Sequence, residues 1–156
     1  MLAIYLQTQP FIKILPMPQK PTDTAVVIQT VLLASKLSKK ADLQLSLHGI
    51  SFTEYLVMHY LDSAPHQAVP RIELADYIGM SASGITRLVA PLEKSGILEK
   101  VASKRDARQS LVRLSKSGRR LYQEAGTSFE HIANGLVGHL NQNQLAKLLE
   151  LYAKIF

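Results

Sequence analysis

Two short stretches of the chain concentrate side chains that could hold a polyanion. The first, Ser81-Ala82-Ser83-Gly84-Ile85-Thr86-Arg87, sets three hydroxyls and a guanidinium within seven residues. Hydroxyls can contact phosphate oxygens or base edges. An arginine can grip a phosphate, or the O6/N7 edge of a guanine, with two parallel hydrogen bonds. Ala82 and Gly84 are small, so a backbone bearing them can come close to a partner. Ser81 has a second reading as the cap of a helix start, and Ser83 and Thr86 have a plainer one as surface polar residues. The second stretch, Lys104-Arg105-Asp106-Ala107-Arg108, groups three cations about one carboxylate. Lys104, Arg105 and Arg108 suit the concentrated negative potential of a minor groove. Asp106 has the wrong sign for that contact and the right chemistry to support it. At a turn a carboxylate accepts backbone N–H bonds or holds a neighbouring arginine in place. A merely solvated turn is the plainer alternative.

The charge balance points the same way. Residues 1–70 hold five Lys/Arg and four Asp/Glu, residues 71–120 eleven and five, and residues 121–156 two and three. The net charge of +6 therefore sits in one third of the chain. A scattered surplus would only solubilise a surface, whereas a focused one is the footprint of a polyanion partner.

The elements that position these residues can be read from apolar spacing. Val27, Val31, Ala34, Leu37, Ala41 and Leu45 predict a helix over 24–46, with Thr24 as a cap and Gly49 beyond its end. Ser51 and Glu54 form a capping box that opens a second helix, ending before Pro65. Residues 64–70 read as a polar turn. A short helix follows at 71–78, stopped by Gly79, and Ser81 then opens another with Ile85, Leu88, Val89 and Leu92 as its buried stripe, stopped by Gly96. Residues 97–103 and 110–114 read as strands joined by the charged KRDARQ connection. A long helix is expected from Ser115 to about Leu140, weakened by its glycines, and a last one over 142–155. Short helix, glycine turn and serine-capped helix make a helix-turn-helix, and the basic hairpin after it makes a wing. The second helix of such a pair enters the major groove with its N-terminal residues nearest the bases. The fold class is thus mainly α with a small β-wing.

Residues 50–122 resemble the winged-helix core of the MarR family. The matching features are Leu74-Ala75, the serine-rich start Ser81 to Ser83, Thr86-Arg87-Leu88, Leu92-Glu93-Lys94, Gly96, Ile97-Leu98, Asp106-Ala107-Arg108 and Leu114-Ser115 with Gly118 behind. Each is weak alone, but in this order they cover about half the chain. The resemblance implies a homodimer held by N- and C-terminal helices (24–48 and 115–156) around a DNA-binding winged helix-turn-helix (49–114). The alternative is that these helices bury their stripes within one monomer. A two-fold dimer would read two half-sites of double-stranded DNA about one helical turn, ~34–36 Å, apart, hence a palindromic operator. Repression is the expected mode. A winged helix used only for protein–protein contact is the rival reading.

The resemblance also implies a small aromatic or phenolic ligand. Tyr55, His59 and Tyr60 lie on the helix expected to line its pocket, where an apolar body with a polar tip suits a phenolic anion. Core packing is the plainer reading of the three. There are departures from the family pattern. Pro91 removes the N–H that would bond to the Arg87 carbonyl, so a kink or an early helix end is expected. Ala107 stands where the family often has arginine. Residues 1–23 read as an extended arm carrying four prolines, packed across the dimer or onto the DNA, unless translation starts at Met17.

Several classes are disfavoured. With no cysteine there is no disulfide, thiolate metal site or thiol switch, which suits a cytoplasmic location. His48, His59, His66, His131 and His139 show no tight metal-ligand spacing. No apolar run reaches the ~18 residues of a membrane span, and the N-terminus lacks the early positive charge of a secretory signal. Neither a glycine-rich phosphate loop, nor HExxH, nor GxSxG is present, so no enzyme activity and no cofactor are expected.

Overall fold

The computed structural model describes residues 22–102 and 110–155. The arm up to residue 21 and the wing tip with Lys104, Arg105, Asp106 and Arg108 lie outside the described residues. The helices are α1 (Asp23–Leu45), α2 (Phe52–Ser63), α3 (Arg71–Ile78), α4 (Ala82–Lys94), α5 (Lys116–Val137) and α6 (Gln142–Tyr152). The strands are β1 (Ala68–Pro70), β2 (Leu98–Ala102) and β3 (Ser110–Leu114). The chain divides between Leu37 and Ser38 into two units.

In the first unit the described residues form the N-terminal part of α1. The Ala25 amide donates to Thr22 Oγ1 at 3.2 Å, so Thr22 and not the expected Thr24 caps the helix. Val26, Val27, Ile28, Val31 and Leu33 are each more than half exposed.

In the second unit the core gathers one stripe from each element. Ala41 and Leu45 come from the end of α1, Tyr55, Val57, Met58 and Leu61 from α2, Leu74 and Ala75 from α3, and Ile85, Val89 and Leu92 from α4. Leu98, Val112 and Leu114 close it from the sheet, and Ala125 and Ile132 from α5. The expected capping box is present: the Glu54 amide donates to Ser51 Oγ at 3.2 Å and the Ser51 amide to Glu54 Oε2 at 2.6 Å. Asp42 adds an acceptor for the Phe52 amide at 2.6 Å, tying the start of α2 to the end of α1.

Residues 68–70, read from sequence as part of a polar turn, are instead a strand. The sheet has three strands in the order β1-β3-β2, all antiparallel. Val69 faces Val112, and both are buried. Pro70 ends the strand and stands directly before α3, where its missing N–H removes nothing from the helix. At the other edge Leu98 pairs with Leu114 and Glu99 with Arg113.

α5 docks where β2 begins. The Ser115 and Ser117 hydroxyls both donate to the Gly96 carbonyl, at 2.6 and 2.9 Å. A Cβ on the buried Gly118 would overlap the Ile97 carbonyl oxygen, so only glycine permits this approach. α5 ends at Val137 and α6 at Tyr152, each about three residues before the expected end. None of the helices among the described residues is long and apolar enough to cross a membrane.

Candidate nucleic-acid interface

The helix-turn-helix is built by α3, the turn and α4. α3 stops because Gly79 adopts φ +73, a left-handed conformation that side-chain-bearing residues rarely take. Its amide closes on the Ala75 and Asp76 carbonyls. Met80 follows in the turn, and Ser81 caps α4 by accepting the Gly84 amide at 3.1 Å. Leu74, Ala75, Ile85 and Val89 bury the facing sides of the two helices. What α4 leaves outward is Ser81, Ala82, Ser83, Thr86, Arg87 and Ala90, all exposed. The residues expected on this helix to contact DNA therefore share one uncovered surface.

Hydrogen-bond accounting shows what that surface can still offer. The Ser81 and Ser83 hydroxyls lie 3.1 Å apart. The pair has two hydroxyl hydrogens and uses one between them, so one donor remains for a phosphate or base. Thr86 Oγ1 donates to the Ala82 carbonyl at 2.8 Å. Arg87 Nε reaches only weakly to the Ser83 carbonyl, at 3.4 Å, which leaves both terminal nitrogens of the guanidinium for a partner. The first amides of a helix have no acceptor within it and add partial positive charge at the same end.

α4 is fixed near its C-terminal end. Arg71, the first residue of α3, donates to Glu93 near the end of α4 at 2.5 Å, and both side chains are mostly buried. Lys100 on β2 approaches the other Glu93 oxygen at 3.7 Å. This network joins the first helix, the second helix and the wing, and sequence reading missed it because Arg71 and Glu93 are 22 residues apart. Pro91 does not end α4, which continues to Lys94, and the Ser95 amide donates to the Pro91 carbonyl at 2.9 Å. The early end expected there does not occur, since Ile85, Val89 and Leu92 bury the stripe on both sides of the proline.

The wing strands carry cations that the sequence reading left unassigned. Arg113 is half exposed and pairs across the strands with Glu99 at 2.6 Å, and Lys100 is exposed beside it. The alternation in β3, with Val112 and Leu114 buried, was the available signal for Arg113. Lys104, Arg105, Asp106 and Arg108 belong to the tip outside the described residues.

The three residues expected to line a ligand pocket are not brought together. Tyr55 and His59 face α5: Tyr55 stacks on Tyr122 and Phe129 with ring centres 5.4 and 4.9 Å apart, and His59 Nδ1 lies 2.8 Å from the Tyr122 hydroxyl. Tyr60 turns toward α3, where it stacks on Tyr77 at 4.1 Å and donates to Glu73 at 2.6 Å. Burial, and then the neighbouring Tyr122 phenol, push the Tyr55 hydroxyl up to about 12. Tyr122 is raised by burial first and by the Asp62 carboxylate second. Tyr60 is raised chiefly by its bond to Glu73. These phenols stay protonated near neutrality and act as donors. Arg119 on α5 reaches Asp62 at 2.8 Å and Gln67 at 2.9 Å, fixing the end of α2 and the approach to β1. Among the described residues no three His, Asp or Glu side chains stand close enough to hold a metal.

A helix-turn-helix whose second helix exposes Arg87 and three hydroxyls, followed by a β-hairpin and two further helices, is the architecture of a winged-helix protein. The MarR family model matches residues 48–109, so this segment is similar to the winged helix of that family. The chain is 28% identical over 92 residues to the transcriptional repressor MprA of Escherichia coli (strain K12), covering 59% of this chain and 52% of that protein. It thus spans about half the length of the curated relatives it matches. Among solved structures, a MarR/EmrR family transcriptional regulator from Acinetobacter sp. ADP1 superposes with a TM-score of 0.77 at 23% identity, over 87% of this chain and 95% of that one. Sco3205, a MarR family transcriptional regulator from Streptomyces coelicolor solved in complex with DNA, does so with 0.74 at 21%, over 90% and 91%. These likenesses establish that the fold extends beyond the matched segment.

Proposed function

We propose that the chain is a DNA-binding transcriptional regulator, acting as a homodimer that represses from a palindromic operator. The observation that carries this reading is the exposed start of α4, where Ser83, Thr86 and Arg87 stand uncovered on a helix capped by Ser81 and fixed near its far end by the Arg71–Glu93 pair. α4 enters the major groove and Arg87 contacts a guanine or a phosphate. The wing, with Lys104, Arg105 and Arg108 at its tip and Asp106 as their support, follows the adjacent minor groove. Residues 24–48 and 115–156 pair the two copies, and the exposed apolar side chains of α1 and α6 support this. The role of MprA as a transcriptional repressor and the DNA complex of Sco3205 favour the same reading. A small aromatic or phenolic ligand regulates the dimer at the Tyr55–His59 side of α2, where neutral phenols can donate to its anionic group. Such a ligand acts by binding the DNA-competent and incompetent dimers with different affinity. The protein works in the cytoplasm.

Footprinting on the DNA upstream of the coding sequence tests the core of the proposal. Two protected stretches related by symmetry and centred about one helical turn apart are expected. Protection of a single unsymmetrical stretch would remove the dimeric operator, and no protection would remove the DNA-binding reading.

A further inference from the structure

We infer that the exposed face of α4 reads the 5-methyl group of a thymine. This rests on the DNA-binding reading above and names what that same helix recognises. Ala82, Thr86 and Ala90 recur every four residues, so they form one stripe along the helix, and all three are exposed. Two of them end in a methyl and carry no polar group. The third, Thr86, commits its hydroxyl hydrogen to the Ala82 carbonyl at 2.8 Å. What Thr86 presents outward is then a methyl and an oxygen lone pair, with no donor.

That chemistry narrows the base. In the major groove guanine N7 and O6, adenine N7 and thymine O4 are acceptors, so Thr86 in this state bonds to none of them. The thymine methyl is the apolar group that the groove displays, and a stripe of three methyl-bearing residues can bury it. The next stripe, Ser83 and Arg87, is polar, and its guanidinium keeps two free nitrogens for a guanine edge.

The test begins with the full chain selecting its preferred sequence from a pool of random duplexes. Each thymine of the selected site is then replaced by deoxyuridine, which removes the methyl and changes nothing else in the groove. One thymine per half-site should be sensitive, with binding weakened about four-fold, the worth of one buried methyl. Thr86→Val should keep that sensitivity, and Thr86→Ser should flatten it, so that thymine and deoxyuridine bind alike. A selected site indifferent to every deoxyuridine replacement would overturn the inference while leaving DNA binding intact. So would a loss in Thr86→Val that Thr86→Ser does not share, which would assign the Thr86 oxygen to an amino group of adenine or cytosine. Selection of no sequence at all would instead overturn the DNA-binding reading on which the inference stands. Thr86 is exposed, so both variants should fold as the parent does.

Discussion

At the scale of single residues, the proposed DNA contact assigns Arg87 the largest share of the specificity. Its guanidinium is exposed at the reading end of α4 with its terminal nitrogens free. Arg87→Ala should cost about 1–3 kcal/mol on the preferred duplex and relax the preference at one base pair. An equal loss on random duplex would show a phosphate contact only. The identities of Ser81, Ser83, Thr86 and Arg87 and their order were legible in the sequence. Their internal bonds were not, because a hydroxyl's choice between its own helix and an outside partner depends on rotamer and not on residue type. Tyr55 makes a second residue-level case. A phenol whose folded value of about 12 lies above its ordinary 10 favours the fold while neutral. Its contribution is complete below pH 10 and is lost as pH rises through 12. Urea midpoints measured on either side of pH 10 should therefore fall less steeply for Tyr55→Phe than for the parent. Equal slopes would contradict the burial of that hydroxyl.

At the scale of elements, the two helices of the reading motif are oriented by one ion pair and the long helix α5 by one glycine. Glu93→Gln leaves the mostly buried Arg71 guanidinium without its charged acceptor. It should lower stability by about 1–3 kcal/mol, measurable as a shift in urea midpoint with unchanged slope. Gly118→Ala drives a methyl into the Ile97 carbonyl and should cost about 1–3 kcal/mol, seen as a lower thermal midpoint. Retention of the parent midpoint would mean that α5 can move off the sheet freely. Helices announce themselves by spacing and caps, so α2, α3 and α4 were readable from Ser51, Glu54, Gly79 and Ser81. β1 was not, because three residues cannot display alternation, and it exists only by pairing with β3. Of the kink or early end expected at Pro91, the early end does not occur: tertiary burial of Val89 and Leu92 outweighs the lost hydrogen bond. Tyr60 was grouped with Tyr55 and His59 by nearness in sequence, yet one further residue turns a side chain by about 100° around a helix.

At the scale of the whole molecule, two distributions matter: the net positive excess carried by residues 71–120, and the apolar residues exposed on α1 and α6. The second should be the pairing surface. Val27→Glu with Val31→Glu is expected to give a monomer by sedimentation and to weaken operator binding, and a variant that stays dimeric would place the interface elsewhere. Charge localisation was visible in the sequence, while the exposure of the apolar stripe needed the fold. The most direct test of the central claim is a titration of the purified chain against two labelled duplexes, its own upstream DNA and a random sequence, each at two salt concentrations. Tighter binding to the upstream duplex, falling steeply with salt as phosphate-bound counterions are released, is the result expected of a sequence-specific regulator. Equal affinity for both duplexes, or no binding at either salt, would contradict it and leave a winged helix that serves protein contacts alone.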